Sequence, residues 1–162
     1  MRKRGQLQIS FGMIFSIILI IAIVGVSIYV ISYFMSLRSC TTIGFFYDDI
    51  QDRVDKAWAS TKAQEIFEAD LPRGIEKVCF GSFDIPHRDE DSEAFESLKR
   101  YANHNKNLFL YPNQGDCDAD LRSYKLEHAT SDEFFCSEVD GGEVTFKISK
   151  TSTDSLVKLS EE

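Results

Sequence analysis

Alternating carboxylates in one short loop are the clearest candidates for ligand chemistry. Asp116, Asp118 and Asp120 stand in the sequence GDCDAD, and Glu127 takes the twelfth place counted from Asp116. Carboxylates at the first, third, fifth and twelfth places are the order in which an EF-hand loop supplies oxygen ligands to Ca²⁺. The sixth place holds Leu121 where an EF-hand needs glycine, and the pattern of flanking helices is missing. We assign no metal here and keep two interpretations open, a calcium site of another type and a solvated acidic loop.

The other residue types that carry catalysis show no matching pattern. The three histidines, His87, His104 and His128, lie far apart and lack a metal-ligand spacing such as H-E-x-x-H. The sequence also contains no G-x-S-x-G element, no phosphate-binding glycine loop and no reactive-cysteine signature. The sequence therefore predicts a protein that is not an enzyme, that uses no cofactor and whose histidines lie on the surface or at a sheet edge.

Four cysteines have the number and spacing expected of disulfides. No two of them have the close spacing of a structural zinc site, and an even count favours two disulfides in an oxidising compartment. Cys79 and Cys136 have apolar, strand-like neighbours, whereas Cys40 and Cys117 have loop-like neighbours. These surroundings favour the pairs Cys79–Cys136 and Cys40–Cys117, although four cysteines allow three pairings.

One apolar stretch, 11–37, dominates the organisation of the chain. It contains no charged residue, and as a helix it would reach roughly 40 Å, more than the ~30 Å hydrocarbon core of a bilayer. Its serines can return their hydroxyl groups to carbonyls of the preceding helical turn. The sequence therefore predicts one transmembrane helix, within 6–38, in contact with membrane lipid.

Charge predicts the orientation of this helix. Arg2, Lys3 and Arg4 precede it and only Arg38 follows closely, so the amino terminus is expected in the cytoplasm and the domain 39–162 outside the cell membrane. The net charge is −8 despite these basic residues. An acidic outer domain makes nucleic acid an unsuitable partner, because phosphates attract basic surfaces. The acidic run 89–91 is either a solvated loop or a contact for a basic partner.

The first residues carry a family resemblance. Lys3-Arg4-Gly5 is followed by Gln6 and then by the apolar run, an arrangement that resembles the class III signal peptide of type IV pilins and related archaeal surface proteins. In that family a peptidase removes the basic leader after the glycine, and the apolar helix is retained. The resemblance implies a leader at 1–5 cleaved between Gly5 and Gln6. Gln6 as the first mature residue resembles the archaeal branch, and Ser10 departs from the bacterial pattern, which has glutamate there. An uncleaved anchor with glycine at this position is the alternative.

Two functions follow from these features. The resemblance implies a pilin-like structural subunit of a surface filament, with self-association of the transmembrane helix at Gly12, Ser16, Gly25 and Ser27, where small residues permit close approach. The alternative is a single-span membrane protein whose outer domain binds a partner or ligand, as an adhesin, receptor or assembly factor. Cleavage after Gly5 and filament formation would separate the two.

Hydrophobic periodicity predicts an α+β fold, in which the long transmembrane helix precedes a small, mostly antiparallel sheet with one or two packed helices. The helical pattern at 44–64 either continues the membrane helix or forms a separate helix. Asp140-Gly141-Gly142 predicts a hairpin. The predicted strands are 67–71, 75–85, 108–111, 123–129, 133–139, 143–149 and 155–159, and a short helix is expected at 92–104.

Overall fold

The computed structural model describes residues 11–100, 105–112, 117 and 119–161. The chain divides into two compact units, Met1–Ser36 and Leu37–Glu162. The fold is α+β, as the sequence predicts. Its elements are α1 (Phe11–Ala59), β1 (Ala63–Asp70), β2 (Lys77–Phe80), α2 (Ser92–Leu98), β3 (Leu108–Tyr111), β4 (Ser123–Tyr124), β5 (Ala129–Thr130), β6 (Phe135–Glu138), β7 (Glu143–Lys150) and β8 (Val157–Ser160), with 3-10 turns at Asp89–Asp91 and Ala119–Arg122.

Helix α1 is continuous from the apolar stretch into the second unit, so the interpretation of 44–64 as a separate helix is wrong. Within the second unit a stripe of α1 is buried at helical spacing, formed by Ile43, Phe46, Ile50, Val54 and Ala57. The helix ends at Ala59, before the predicted 64, because the chain turns into β1 at once. The stripe supplies one wall of the main core.

The strands form two four-stranded sheets, where the sequence analysis expected one. The first has the order β1-β7-β8-β5 and the second has the order β4-β3-β2-β6. Every pairing is antiparallel except β5 with β8. The predicted strand 123–129 is wrong, since it divides into β4 in the second sheet and β5 in the first, with His128 at a φ of 60° just before β5.

Strand β2 is much shorter than the predicted 75–85 because Gly81 ends it. Gly81 has a φ of 138°, and a Cβ at this position would lie 2.9 Å from the Cα of Phe134. A side chain would be strained by the backbone angle and blocked by the neighbouring chain. The predicted hairpin at 140–142 is present, with Gly141 and Gly142 at φ values of 61° and 94°.

The second sheet is covered on both faces. Val78, Leu108 and Phe135 contribute to the core that contains the α1 stripe and the first sheet. On the other face α2 covers a smaller core that contains Phe109 and Cys79. Burial on both faces explains why β2 and β3 consist of nearly continuous apolar residues instead of alternating ones. Helix α2 ends at Leu98, earlier than the predicted 104, and 101–104 lie outside the described residues.

Candidate functional site

The apolar segment of α1, Gly12–Met35, is exposed on every side. Among the described residues, α1 is the one helix long and apolar enough to cross a membrane, with a mean hydropathy of 3.0 in its most apolar window and no part of that window buried. A helix that is apolar around its whole circumference needs apolar surroundings, which a bilayer or neighbouring helices supply. By length and composition the segment is therefore a candidate membrane span.

Three serine hydroxyl groups within this segment are bonded to the backbone of the helix itself. The hydroxyl groups of Ser16, Ser27 and Ser32 donate to backbone carbonyls four residues earlier, over 2.8, 2.8 and 3.0 Å. These bonds are the ones that the sequence predicts for a helix in lipid. A Cβ built on Gly25 would meet no atom within 4 Å, so this glycine lies on open helix surface.

Several predicted site residues fall where the structure is not described. Gly5 and Gln6, at the predicted leader cleavage, lie outside the described residues, as do Asp116, Asp118 and His104. Of the remaining calcium candidates, Asp120 lies in the 3-10 turn Ala119–Arg122, and Glu127 donates its backbone N–H to Oε1 of Gln51 over 3.0 Å. The described ranges contain no group of three or more Asp, Glu, His or Cys residues placed to hold a metal ion. The calcium site stays a prediction.

Two disulfides join the cysteines that the sequence analysis pairs. Cys40 on α1 is bonded to Cys117, with the Cα atoms 5.5 Å apart, and Cys79 is bonded to Cys136. Cys79 and Cys136 face each other across β2 and β6, and α2 covers them. Disulfides of this kind persist in oxidising compartments, which supports a location of the second unit outside the cytoplasm.

The segment around the 3-10 turn Ala119–Arg122 is fixed to α1 by tyrosines. The hydroxyl group of Tyr47 donates to the carbonyl of Leu121 over 2.8 Å, and the ring of Tyr47 stacks on that of Tyr124 at 4.7 Å. The buried Arg122 donates from Nη1 to the carbonyl of Pro112 over 2.8 Å. Burial raises the pKa of Tyr47 above its ordinary 10.0, and the Arg122 charge opposes that rise only partly.

Trp58, near the C-terminal end of α1, joins the helix to His128 and to Ser155. The ring of His128 stacks on Trp58 with centroids 3.8 Å apart, and its Nδ1 lies 3.0 Å from a carboxylate oxygen of Asp55. Trp58 Nε1 donates to the carbonyl of Ser155 over 3.2 Å. His87 stacks on Phe95 at 4.1 Å. Both described histidines therefore make packing contacts, and the prediction of a non-enzymatic protein stays a prediction.

A polar cleft of about 440 Å³ lies beside β6, and we call it the β6 cleft. Its lining includes Lys77, Glu90, Asp91, Ser137, Glu138 and Glu161. Asp91 is 2% exposed, so the interpretation of 89–91 as a wholly solvated loop is wrong. Its Oδ2 accepts the backbone N–H of Cys136 over 3.0 Å, which replaces the water that a buried carboxylate has lost.

Positive charge in the β6 cleft is scarce relative to negative charge. Lys77 Nζ lies 3.7 Å from Oδ1 of Asp91 and 3.6 Å from Oε1 of Glu138. Arg88, at the border of the cleft, pairs with Glu133, Glu161 and Glu90, and the hydrogen bond that it donates to Glu133 raises its pKa. Sequence reasoning missed this site because Lys77 and Glu138 come from strands far apart in the chain. The charge run 89–91 was the one available signal. Comparison of the chain with protein-family models, with curated proteins and with solved structures gave no match.

Proposed function

We propose that the protein is a membrane-anchored, pilin-like structural subunit whose globular unit lies outside the cell membrane. The observation that carries the proposal is the apolar segment Gly12–Met35, which is exposed around its whole circumference although the same helix is packed into a core farther along. A soluble protein would gain nothing from such a surface, whereas lipid or identical helices would cover it.

Self-association of this segment follows from its small residues. In lipid, helices associate through close van der Waals contact, so glycine and serine on the helix surface allow two backbones to approach. Gly25 leaves open space where a side chain would stand, and the Ser27 hydroxyl is already bonded within its own helix. Gly12 and Ser16 provide a similar surface nearer the amino terminus. Packing of copies at these positions would form the centre of a filament.

Orientation with the amino terminus in the cytoplasm is part of the proposal. Basic residues collect before the apolar segment, which favours retention of that end in the cytoplasm. The disulfides Cys40–Cys117 and Cys79–Cys136 support an oxidising environment for the globular unit. The basic residues and the disulfides are independent features, and both favour the same topology.

The test is the intact mass and amino-terminal sequence of the protein purified from native membranes, followed by electron microscopy for filaments. A start at Gln6 together with filaments supports the proposal. A Gly5→Leu variant should stay full length and fail to assemble, whereas the control Gln8→Ala should be processed and assembled normally. A start at Met1 in the unaltered protein would contradict pilin-type processing and leave a permanent anchor. A start beyond Leu37 would make the apolar segment a removed signal.

A further inference from the structure

Strand β6 is an edge strand whose free side is only partly covered. Among the described strands it pairs only with β2, and the N–H of Val139, just after β6, donates to the carbonyl of Glu76, just before β2, over 2.8 Å. Backbone groups of successive residues in an antiparallel strand point to alternate sides, so 134, 136 and 138 direct their N–H and C=O groups to the free edge. Two hydrogen bonds are consistent with this direction, because neither partner belongs to β2: the N–H of Phe134 donates to the carbonyl of Pro86 over 2.8 Å, and the N–H of Cys136 donates to Asp91.

Asp91 is the last described group along this edge that forms a hydrogen bond with an outward backbone group of β6. The next outward groups along β6 are the C=O of Cys136 and the N–H of Glu138, and neither has a hydrogen-bond partner within the described part of the chain. Cys136 and Glu138 both line the β6 cleft. Unpaired backbone groups on an edge strand are a template for the addition of another strand. Ser137 also lines the cleft, and its buried Oγ has no hydrogen-bond partner among the described residues.

Charge defines what can enter this cleft. Its carboxylates are those of Glu90, Asp91, Glu138 and Glu161, and the cations that face them are Lys77 inside the cleft and Arg88 at its border. The balance is negative even with both cations in place. Glu90 and Glu138 are 71% and 78% exposed at the side chain, so they can turn toward an incoming positive group without losing a buried contact.

We propose that the β6 cleft binds an extended segment of a partner protein that carries a lysine or arginine. The segment would accept from the N–H of Glu138 and donate to the C=O of Cys136, extending the second sheet by one strand beyond the point that Asp91 covers. Its basic side chain would lie between the carboxylates of Glu90 and Glu138. Backbone pairing would give affinity and the carboxylates would select a basic side chain. The inference concerns the globular unit and does not rest on leader cleavage or on filaments.

The experiment uses the full chain in lipid nanodiscs and a short labelled peptide in which valine alternates with lysine. Binding is followed by fluorescence anisotropy, and hydrogen exchange is measured at the amide of Glu138. We expect binding of the lysine peptide, slower exchange at that amide, and at least tenfold weaker binding of a matched peptide with glutamate in place of lysine. Glu138→Lys should weaken binding of the lysine peptide by about tenfold, because a repulsive charge then faces the ligand.

Matched variants keep the result interpretable. Glu143→Lys makes the same charge change at the exposed first residue of β7, outside the cleft, and should leave binding unchanged. Glu90→Lys tests the cleft from its other wall if Glu138→Lys disturbs the fold. Equal affinity for the two peptides, equal weakening by Glu143→Lys, or binding without protection of the Glu138 amide would each overturn the inference. A full-length mass from native membranes would contradict the proposed processing and leave these measurements unaffected.

Discussion

Replacement of Ile50 by alanine tests how the buried stripe of α1 stabilises the globular unit. Ile50 is fully buried in the core that α1 shares with both sheets. The substitution deletes three carbon atoms, which at ~0.8 kcal/mol per buried methylene removes about 2.4 kcal/mol. The cavity left behind adds to this loss, and the better helix propensity of alanine returns at most about 0.7 kcal/mol. We expect the free energy of unfolding to fall by about 2–4 kcal/mol.

Ile66→Ala is the matched control for this prediction. Ile66 lies on β1 with 52% of its surface exposed, so the same atoms are deleted where little burial is lost. The expected cost is about 1 kcal/mol or less, most of it from the lower strand propensity of alanine. The two variants therefore differ mainly in the packing of α1.

Urea unfolding of the full chain in detergent micelles provides the assay, with tryptophan fluorescence as the signal. The chain has one tryptophan, Trp58, and its ring stacks on His128, so its emission reports loss of the folded unit. With a slope of about 2 kcal/mol per molar urea, Ile50→Ala should lower the midpoint by about 1–2 M. Equal midpoints for Ile50→Ala and Ile66→Ala would refute the packing of α1 on the sheets.

Three further predictions use the same protein. Asp91→Ala should lower the free energy of unfolding by about 1–3 kcal/mol because it leaves the Cys136 N–H buried and unpaired. Asp91→Asn keeps a hydrogen-bond acceptor and should lower it less. Both changes are measured by the same urea unfolding. The unaltered protein should have a higher free energy of unfolding than Tyr47→Phe, fully so below pH 10.0 and by less at higher pH. The reason is that the tyrosine of the unfolded chain releases its proton at a lower pH than the buried one does. A difference in free energy of unfolding that stays constant in alkaline urea titrations would contradict this. Intact mass without reductant should be four hydrogens below the reduced mass, and reduction should cost about 2–4 kcal/mol per disulfide; four free thiols would contradict it.

Local patterns predicted those parts of the fold that depend on local chemistry. The apolar run predicted a helix because it is long and contains no charged residue, and Gly141 and Gly142 predicted the hairpin because glycine adopts positive φ without strain. The division into two sheets was not predictable in this way. It depends on which strands pair, and pairs such as β1 with β7 and β2 with β6 join segments far apart in sequence. The split of 123–129 likewise depends on pairing of Ala129 with Val157, which no local pattern reveals.

The candidate sites likewise differ in whether local sequence or contacts between distant residues determine them. The exposed apolar segment was predictable because composition alone carries it. The β6 cleft was not predictable, because in the sequence Asp91 is only one residue of an acidic run. Its hydrogen bond with the edge strand β6 is visible only in the structure. No sequence pattern indicates that a carboxylate will accept the backbone N–H of an edge strand, a hydrogen bond that a neighbouring strand would otherwise accept. Glu138 was hidden for the same reason, since its role depends on the free edge on which it lies.

The disulfide between Cys40 and Cys117 also has a mechanical consequence. Tension applied between the apolar segment and the C-terminal strand β8 would cross this bond and bypass the chain between the two cysteines, which are 77 positions apart. At 3.3–3.6 Å per residue, roughly 250–280 Å of extensible chain is withheld from the load. Strands β1, β2 and β3 and helix α2 all lie in that bypassed region. The chain between Cys117 and β8 stays in the load path, so the oxidised protein extends less under tension than the reduced protein, which releases the bypassed chain as well.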